Sequence, residues 1–276
     1  MQISSYIKKV SHWWRTSFSY GGYKSLPFPR VLNKIWYLQT SYCWQPIVGL
    51  AGKALLGLGN NVEIHNRETF RKYVENRDPS TPLLTLCNHA SMIDDPLLLG
   101  HMCDLKWLFN ANLMKWSLGA KEILYTNRFF TYVMCHGKTV PIVRGDGVYQ
   151  EGITFAISQL NRGQWVHIFP EGKVTLDPIR LKWGIGRMIS ECTKEAIILP
   201  YWHSGMEDVF PMKTPYYPRL RKKVTVLFGE PIRYYDLLQR CRSEGRGEIE
   251  TRKAMTDIVQ EALYELKPKA ERLHLQ

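Results

Sequence analysis

The ten residues Cys87-Asn88-His89-Ala90-Ser91-Met92-Ile93-Asp94-Asp95-Pro96 place a histidine just after an apolar run and an aspartate five positions further on. An imidazole, with an ordinary pKa of about 6.5, is suited to moving a proton near neutrality. A carboxylate on its other nitrogen fixes the tautomer and stabilises the imidazolium that forms. The pair reads as a general base, His89, oriented by Asp94, with Pro96 opening a helix. The competing reading is that Asp94 or Asp95 caps that helix and His89 is an incidental loop residue. Two other stretches carry polar groups behind apolar runs. Phe169-Pro170-Glu171-Gly172-Lys173 sets a carboxylate on a stiff corner beside a glycine whose N–H is open to close approach; a surface turn with a solvated glutamate is the alternative. Arg144, in Ile142-Val143-Arg144-Gly145-Asp146-Gly147, could grip a phosphate with two N–H groups or pair with Asp146 at the rim.

These stretches need a scaffold. Strands are expected at 62–66, 82–87, 105–110, 138–144, 164–170, 196–202 and 222–232. Helices are expected at 67–77, 118–134 (in one or two pieces), 147–163 with Gly163 as its stop, and 182–192. Met255, Ile258, Val259, Ala262, Leu263 and Leu266 predict a C-terminal amphipathic helix. Short apolar runs alternating with helical patterns argue for an α/β fold, with a mostly parallel central sheet flanked by helices. Reactive groups in such sheets gather past the carboxyl ends of the strands, where all three stretches fall.

Order and spacing of these stretches resemble the glycerolipid acyltransferase superfamily. Its first motif, Asn-His, four residues, then Asp, is matched by Asn88, His89 and Asp94. Its glycine-to-arginine block is matched by Gly137 through Arg144, one residue longer than usual. Its Phe-Pro-Glu-Gly is matched by Phe169 to Gly172, and its aliphatic run ending in proline by Ile197 to Pro200. The family's arginine after Phe-Pro-Glu-Gly-Thr is replaced by Lys173-Val174, which leaves lysine as a point charge only. Within the superfamily, the text "VRGDGVYQEG", "WVHIFPEGKV" and "ILPYWHSGMEDV" is similar to the mitochondrial transacylases that remodel cardiolipin. That resemblance implies coenzyme-independent transfer of an acyl chain from a phospholipid to a lysophospholipid, with cardiolipin and monolysocardiolipin as partners. It implies His89 and Asp94 as catalytic residues, and Asn88, Arg144, Glu171, Gly172 and Lys173 as substrate-binding ones. An acyl-coenzyme A-dependent lysophosphatidate-type acyltransferase is the runner-up. Ser91 is expected to pack the loop, and His167 to be a hydrogen-bonded core residue.

The formal net charge of +12 predicts an anionic partner: a membrane surface, a phosphorylated substrate or nucleic acid. No nucleic-acid motif accompanies it, so a nucleic-acid-binding protein is a distant third reading. Six cysteines, no two separated by only two residues, lack a zinc or redox spacing; no metal and no cofactor are expected. No Asp or Glu occurs from Met1 to Val62, as in mitochondrial targeting segments and in chains that touch anionic lipid. Residues 35–52 are uncharged but diluted by Gln39, Thr40, Ser41, Gln45 and Pro46. They predict an interfacial segment anchored by Trp36, Tyr37, Tyr42 and Trp44, with a true span or a buried helix hairpin as alternatives. Trp13 and Trp14 are expected to be further anchors. The expected division is a membrane-associating segment, 1–60, and a second unit, 61–276, which the resemblance implies is an acyltransferase domain, peripheral on mitochondrial membranes and facing the intermembrane space. The basic run 218–223 is a cardiolipin-binding patch or a solvated turn.

Overall fold

The computed structural model describes residues 34–214 and 216–276; the predicted anchors Trp13 and Trp14 lie outside the described residues. A helical run, α1 (34–58), comes first. It passes from Lys34–Gln39 through a π-type stretch Thr40–Trp44, returns to α over Gln45–Gly52 and loosens again at Lys53–Leu58. Then follow β1 (Asn61–His65), α2 (67–75), β2 (Leu83–Leu86), α3 (94–102), α4 (Leu105–Leu108), β3 (Trp116–Ala120), α5 (Lys121–Leu124), α6 (Arg128–His136) and β4 (Thr139–Ile142). Next come α7 (Glu151–Asn161), β5 (Trp165–Ile168), α8 (Gly184–Glu191), β6 (Ile197–Ser204), α9 (Met206–Val209), β7 (Lys223–Phe228), α10 (Tyr235–Ser243) and α11 (Glu248–Leu275).

The seven strands make one sheet in the order β1-β7-β6-β2-β5-β3-β4. β6, β2, β5, β3 and β4 are mutually parallel, while β7 turns back antiparallel to β6 and carries β1 parallel to itself. Strands buried on both faces need continuous apolar runs. β2 and β5 are buried at every residue. Leu84, Leu86, Val166 and Ile168 point to one core with Ile153, Ile157 and Leu160 of α7, Ile185, Met188 and Ile189 of α8, and Met255, Val259 and Leu263 of α11. Leu83, Cys87, Trp165 and Leu199 face the other core, with Leu56 of α1, Phe70 and Val74 of α2, and Leu98, Leu99 and Met102 of α3. Gly163 ends α7 at φ +78°, and a Cβ there would sit 2.4 Å from the Pro79 carbonyl oxygen. Only glycine meets both conditions.

Two expected elements change type. Residues 105–110 form no strand: Leu105–Leu108 is a helical turn whose Trp107 packs edge-on to Trp165 at 6.1 Å. The neighbouring strand is Trp116–Ala120, so the helix expected from 118 begins only at Lys121. Short apolar runs carry no decisive period, and packing decides them.

Helix α1 has two faces. Trp36, Thr40, Gln45, Gly49, Gly52 and Leu56 turn inward. A Cβ on Gly52 would meet the Leu97 carbonyl oxygen at 2.5 Å, so glycine permits this close seating. Trp36 was expected at a lipid interface, but it is fully buried and stacked on Trp116 at 5.8 Å; its ring completes the core. Tyr37 is half-buried edge-on to Trp36, and Trp44 half-buried edge-on to Tyr132. Outward lie Leu38, Tyr42, Ile47, Leu50 and Leu58. Among the described residues no helix is long and apolar enough to cross a membrane.

Candidate active site

Strand register builds the site. Leu86 pairs with Ile168 of β5 on one side and with Pro200 of β6 on the other. Three residues beyond each of these lie His89, Glu171 and His203, which the sheet therefore delivers side by side at its carboxyl edge.

After β2 the chain makes a tight loop. Asp95 is extended (φ −109°, ψ 127°), as suits a residue before proline, and it breaks α3 between Asp94 and the helical residues that follow. Asp94 is 2% exposed, and its Oδ2 accepts the N–H groups of Ala90 and Ser91, each at 2.8 Å. The same oxygen lies 3.0 Å from His89 Nδ1. A ring nitrogen facing a carboxylate carries the proton, so the His89 lone pair is on Nε2. Among the described residues Nε2 has no hydrogen-bond partner, and the His89 side chain keeps 19% exposure. Phe169 stacks on the imidazole at 4.0 Å and 19°, which fixes its plane. Asp94 thus serves the imidazole and the loop together and is no mere helix cap.

The β5 loop closes over the β2 loop. Glu171 Oε2 accepts the His89 N–H at 2.8 Å, and Thr175 N–H donates to the His89 carbonyl at 2.8 Å. Glu171 is buried, and burial pushes its carboxyl up to about 7. Gly172 takes φ +72°, but its N–H donates to the Phe169 carbonyl at 3.0 Å. The expected offer of that N–H to a phosphate is therefore corrected: it closes the turn. Lys173 is exposed on the rim beside it.

Asn88 also changes role. Expected to bind substrate, it is 4% exposed and spends its amide on β6: Nδ2 donates to the His203 carbonyl at 3.0 Å and Oδ1 accepts the His203 N–H at 2.9 Å. It splices the β2 loop onto the sheet. Ser91 is fully buried and donates to the Phe210 carbonyl at 2.9 Å, so it packs the loop as expected. His167 is a core residue, bonded to Thr85 Oγ1 at 2.9 Å, with burial pushing its pKa down to about 3.

Arg144 is not brought to His89. It follows β4, three strands from β2, or roughly 14 Å at ordinary strand spacing. It is exposed and pairs with Glu122 at 3.4 Å, whereas the alternative to a phosphate contact had been a rim pair with Asp146. Two features escaped the sequence reading. His203, fully buried, has Nε2 at 3.0 Å from the Asn88 carbonyl and 3.5 Å from Asp94 Oδ2. Asp95 and Lys115 form a buried ion pair beneath the loop, with Ser117 as a third member. Burial opposes ionisation of Asp95, but the Lys115 ammonium, His167 and Ser117 outweigh it and hold the carboxyl below its usual range. The one sequence signal for His203 was its place three residues beyond the proline that closes the aliphatic run Ile197–Pro200. Among the described residues no group of His, Cys, Asp and Glu gathers as a metal site.

The profile of the family described as "Acyltransferase" matches residues 61–204, a span that holds β1 through β6 and both loops that meet at His89. The chain belongs to the acyltransferase family. Among its relatives, Tafazzin of Drosophila melanogaster is 39% identical over 251 residues, covering 90% of this chain and 66% of that protein. N-acylphosphatidylethanolamine synthase of Arabidopsis thaliana is 38% identical over 195 residues, covering 68% of each. The chain thus spans about two thirds of the length of these relatives. The solved structure of the 1-acyl-sn-glycerophosphate (LPA) acyltransferase PlsC from Thermotoga maritima shares the fold at TM-score 0.52 and 19% identity, over 81% of this chain and 78% of that one. In this acyltransferase, the loops that meet at His89 are the ones the family motifs occupy.

Proposed function

We propose that this acyltransferase is a coenzyme-independent phospholipid–lysophospholipid transacylase, with His89 as general base and Asp94 as its orienting carboxylate. The observation that carries the reading is the 3.0 Å contact between His89 Nδ1 and Asp94 Oδ2, which leaves Nε2 directed away from its partner and reachable. A lysophospholipid hydroxyl is a weak nucleophile at neutral pH and needs such a base. Nε2 takes the hydroxyl proton as the oxygen attacks the ester carbonyl of the donor phospholipid, and Asp94 stabilises the imidazolium. When the tetrahedral adduct collapses, the imidazolium returns the proton to the departing glycerol oxygen. One lysophospholipid is consumed and one released, so the step runs in both directions with the same groups.

Arg144 and Lys173, both exposed at the carboxyl edge, are the proposed contacts for headgroup phosphate, and Glu171 supports the His89 backbone. The outward apolar face of α1, with Tyr42, Ile47 and Leu50, supports a peripheral seat in one leaflet. Likeness to tafazzins supports cardiolipin and monolysocardiolipin as substrates and a mitochondrial membrane as the site of action. The test is a donor experiment in cardiolipin-containing vesicles: purified protein, a lysophospholipid acceptor, and either labelled phospholipid or acyl-coenzyme A as donor. Transfer from phospholipid without coenzyme A is expected. Turnover confined to acyl-coenzyme A would overturn the transacylase reading.

A further inference from the structure

Beyond β6 and α9 the chain leaves the sheet in a loop rooted in the catalytic motif. The Phe210 carbonyl accepts the Ser91 hydroxyl at 2.9 Å, and Arg219 N–H donates to the Val209 carbonyl at 2.7 Å, closing the loop at its base. What it carries is almost all exposed: Met212 (49%), Tyr216 (57%), Tyr217 (54%) and Leu220 (58%). Between Val209 and Gly229 there is no Asp or Glu. Lys213, Arg219, Arg221 and Lys222 have no carboxylate partner among the described residues, whereas Lys223 is held by Glu63 at 3.1 Å. The loop also continues the apolar face of α1. Arg221 N–H donates to the Gly59 carbonyl at 2.7 Å, and a Cβ on Gly59 would meet Leu220 at 2.8 Å, next to the 90% exposed Leu58.

Exposed tyrosines and aliphatics among unpaired cations fit one environment, the headgroup layer of an anionic bilayer. Aromatic bodies settle there with their hydroxyls wet, while Lys and Arg meet lipid phosphates. Residues 1–33 carry no acid and offer the cations no counter-charge. We propose that residues 210–222 are an anionic-lipid docking loop that seats the carboxyl edge of the sheet, and His89 with it, at the bilayer surface. The inference rests on the transacylase reading for its purpose, but its test is separate from that reading.

Flotation with phosphatidylcholine vesicles, with and without phosphatidylglycerol, compares the full-length wild type with two variants. Each cation near an anionic surface contributes about a fivefold gain in partitioning. Arg219→Gln/Arg221→Gln/Lys222→Gln should therefore cost roughly 100-fold on anionic vesicles and little on neutral ones. Tyr216→Ser/Tyr217→Ser/Leu220→Ser should weaken binding to both. Turnover of zwitterionic lipids in detergent micelles should be unchanged in each, because these side chains do not touch His89 or Asp94. Wild-type binding to anionic vesicles should also fall steeply with added salt, a readout that needs no variant. Wild-type-like partitioning of the triple cation variant, salt-insensitive binding, or tight binding to single-stranded RNA that displaces vesicles would each overturn the proposal. Loss of micellar activity in the wild type would count against the transacylase reading alone.

Discussion

Glu171 makes a prediction about stability. Its carboxyl is 1% exposed, accepts the His89 N–H, and is pushed by burial from an ordinary 4.5 up to about 7. The folded chain therefore holds this proton more tightly than the unfolded chain does. Below about pH 4.5 both states are protonated and the group is neutral in the balance. Between there and about 7 the unfolded chain releases the proton while the folded chain keeps it, so stability falls as pH rises. Above about 7 the cost levels off, at up to about 3 kcal/mol for a gap of this size. Glu171→Gln cannot ionise and keeps a carbonyl oxygen for the His89 N–H. Urea unfolding of both proteins at several pH values should show the variant gaining on the wild type as pH rises, by up to about 3 kcal/mol at the alkaline end. A difference that stays flat with pH, or reverses, would refute the assignment of a buried, proton-holding carboxyl.

Asp94→Asn should keep the loop hydrogen bonds through its amide oxygen but lose the charge that stabilises the imidazolium. Its kcat should fall roughly 10²–10⁴-fold with little change in KM, and near-normal turnover would count against the role. We propose His203 as a positioning residue, donating toward the Asn88 carbonyl and Asp94. His203→Ala should lower kcat about tenfold, and His203→Gln, which can still donate, should recover part of that; equal losses in both variants would reject the donor role. Trp36→Ala should cost about 3–5 kcal/mol in chemical unfolding if the ring fills the core against Trp116, and a change under 1 kcal/mol would restore it to the surface.

Much of this architecture was legible because parallel strands buried on both faces must be continuous apolar runs. "PLLTLC" and "QWVHIFP" could be little else, and the polar groups behind them had to fall on one edge. The pairing of His89 with Asp94 was readable because it is local, closed within a single loop. What sequence could not supply was long-range. Nothing in Asn88 reveals that its amide is spent on a strand more than a hundred residues later, nor that His203 arrives beneath Asp94. Arg144 carries the expected charge at the expected strand end, but strand order, which no local pattern encodes, sets it three strands from the strand that leads to His89. Trp36 sat in an uncharged stretch that suits either lipid or core, and the glycines of α1, by allowing close approach, settled it inward. Residues 105–120 failed for want of a period long enough to separate helix from strand.

The proposed reaction depends on the His89 imidazole. Acyl transfer between phospholipid and lysophospholipid in vesicles, measured for wild type and His89→Ala at equal vesicle binding and equal thermal stability, tests it directly. Removing the general base should lower the rate by roughly 10²–10⁴-fold. A variant that retains more than about a tenth of wild-type turnover would contradict the assignment of His89 as the base.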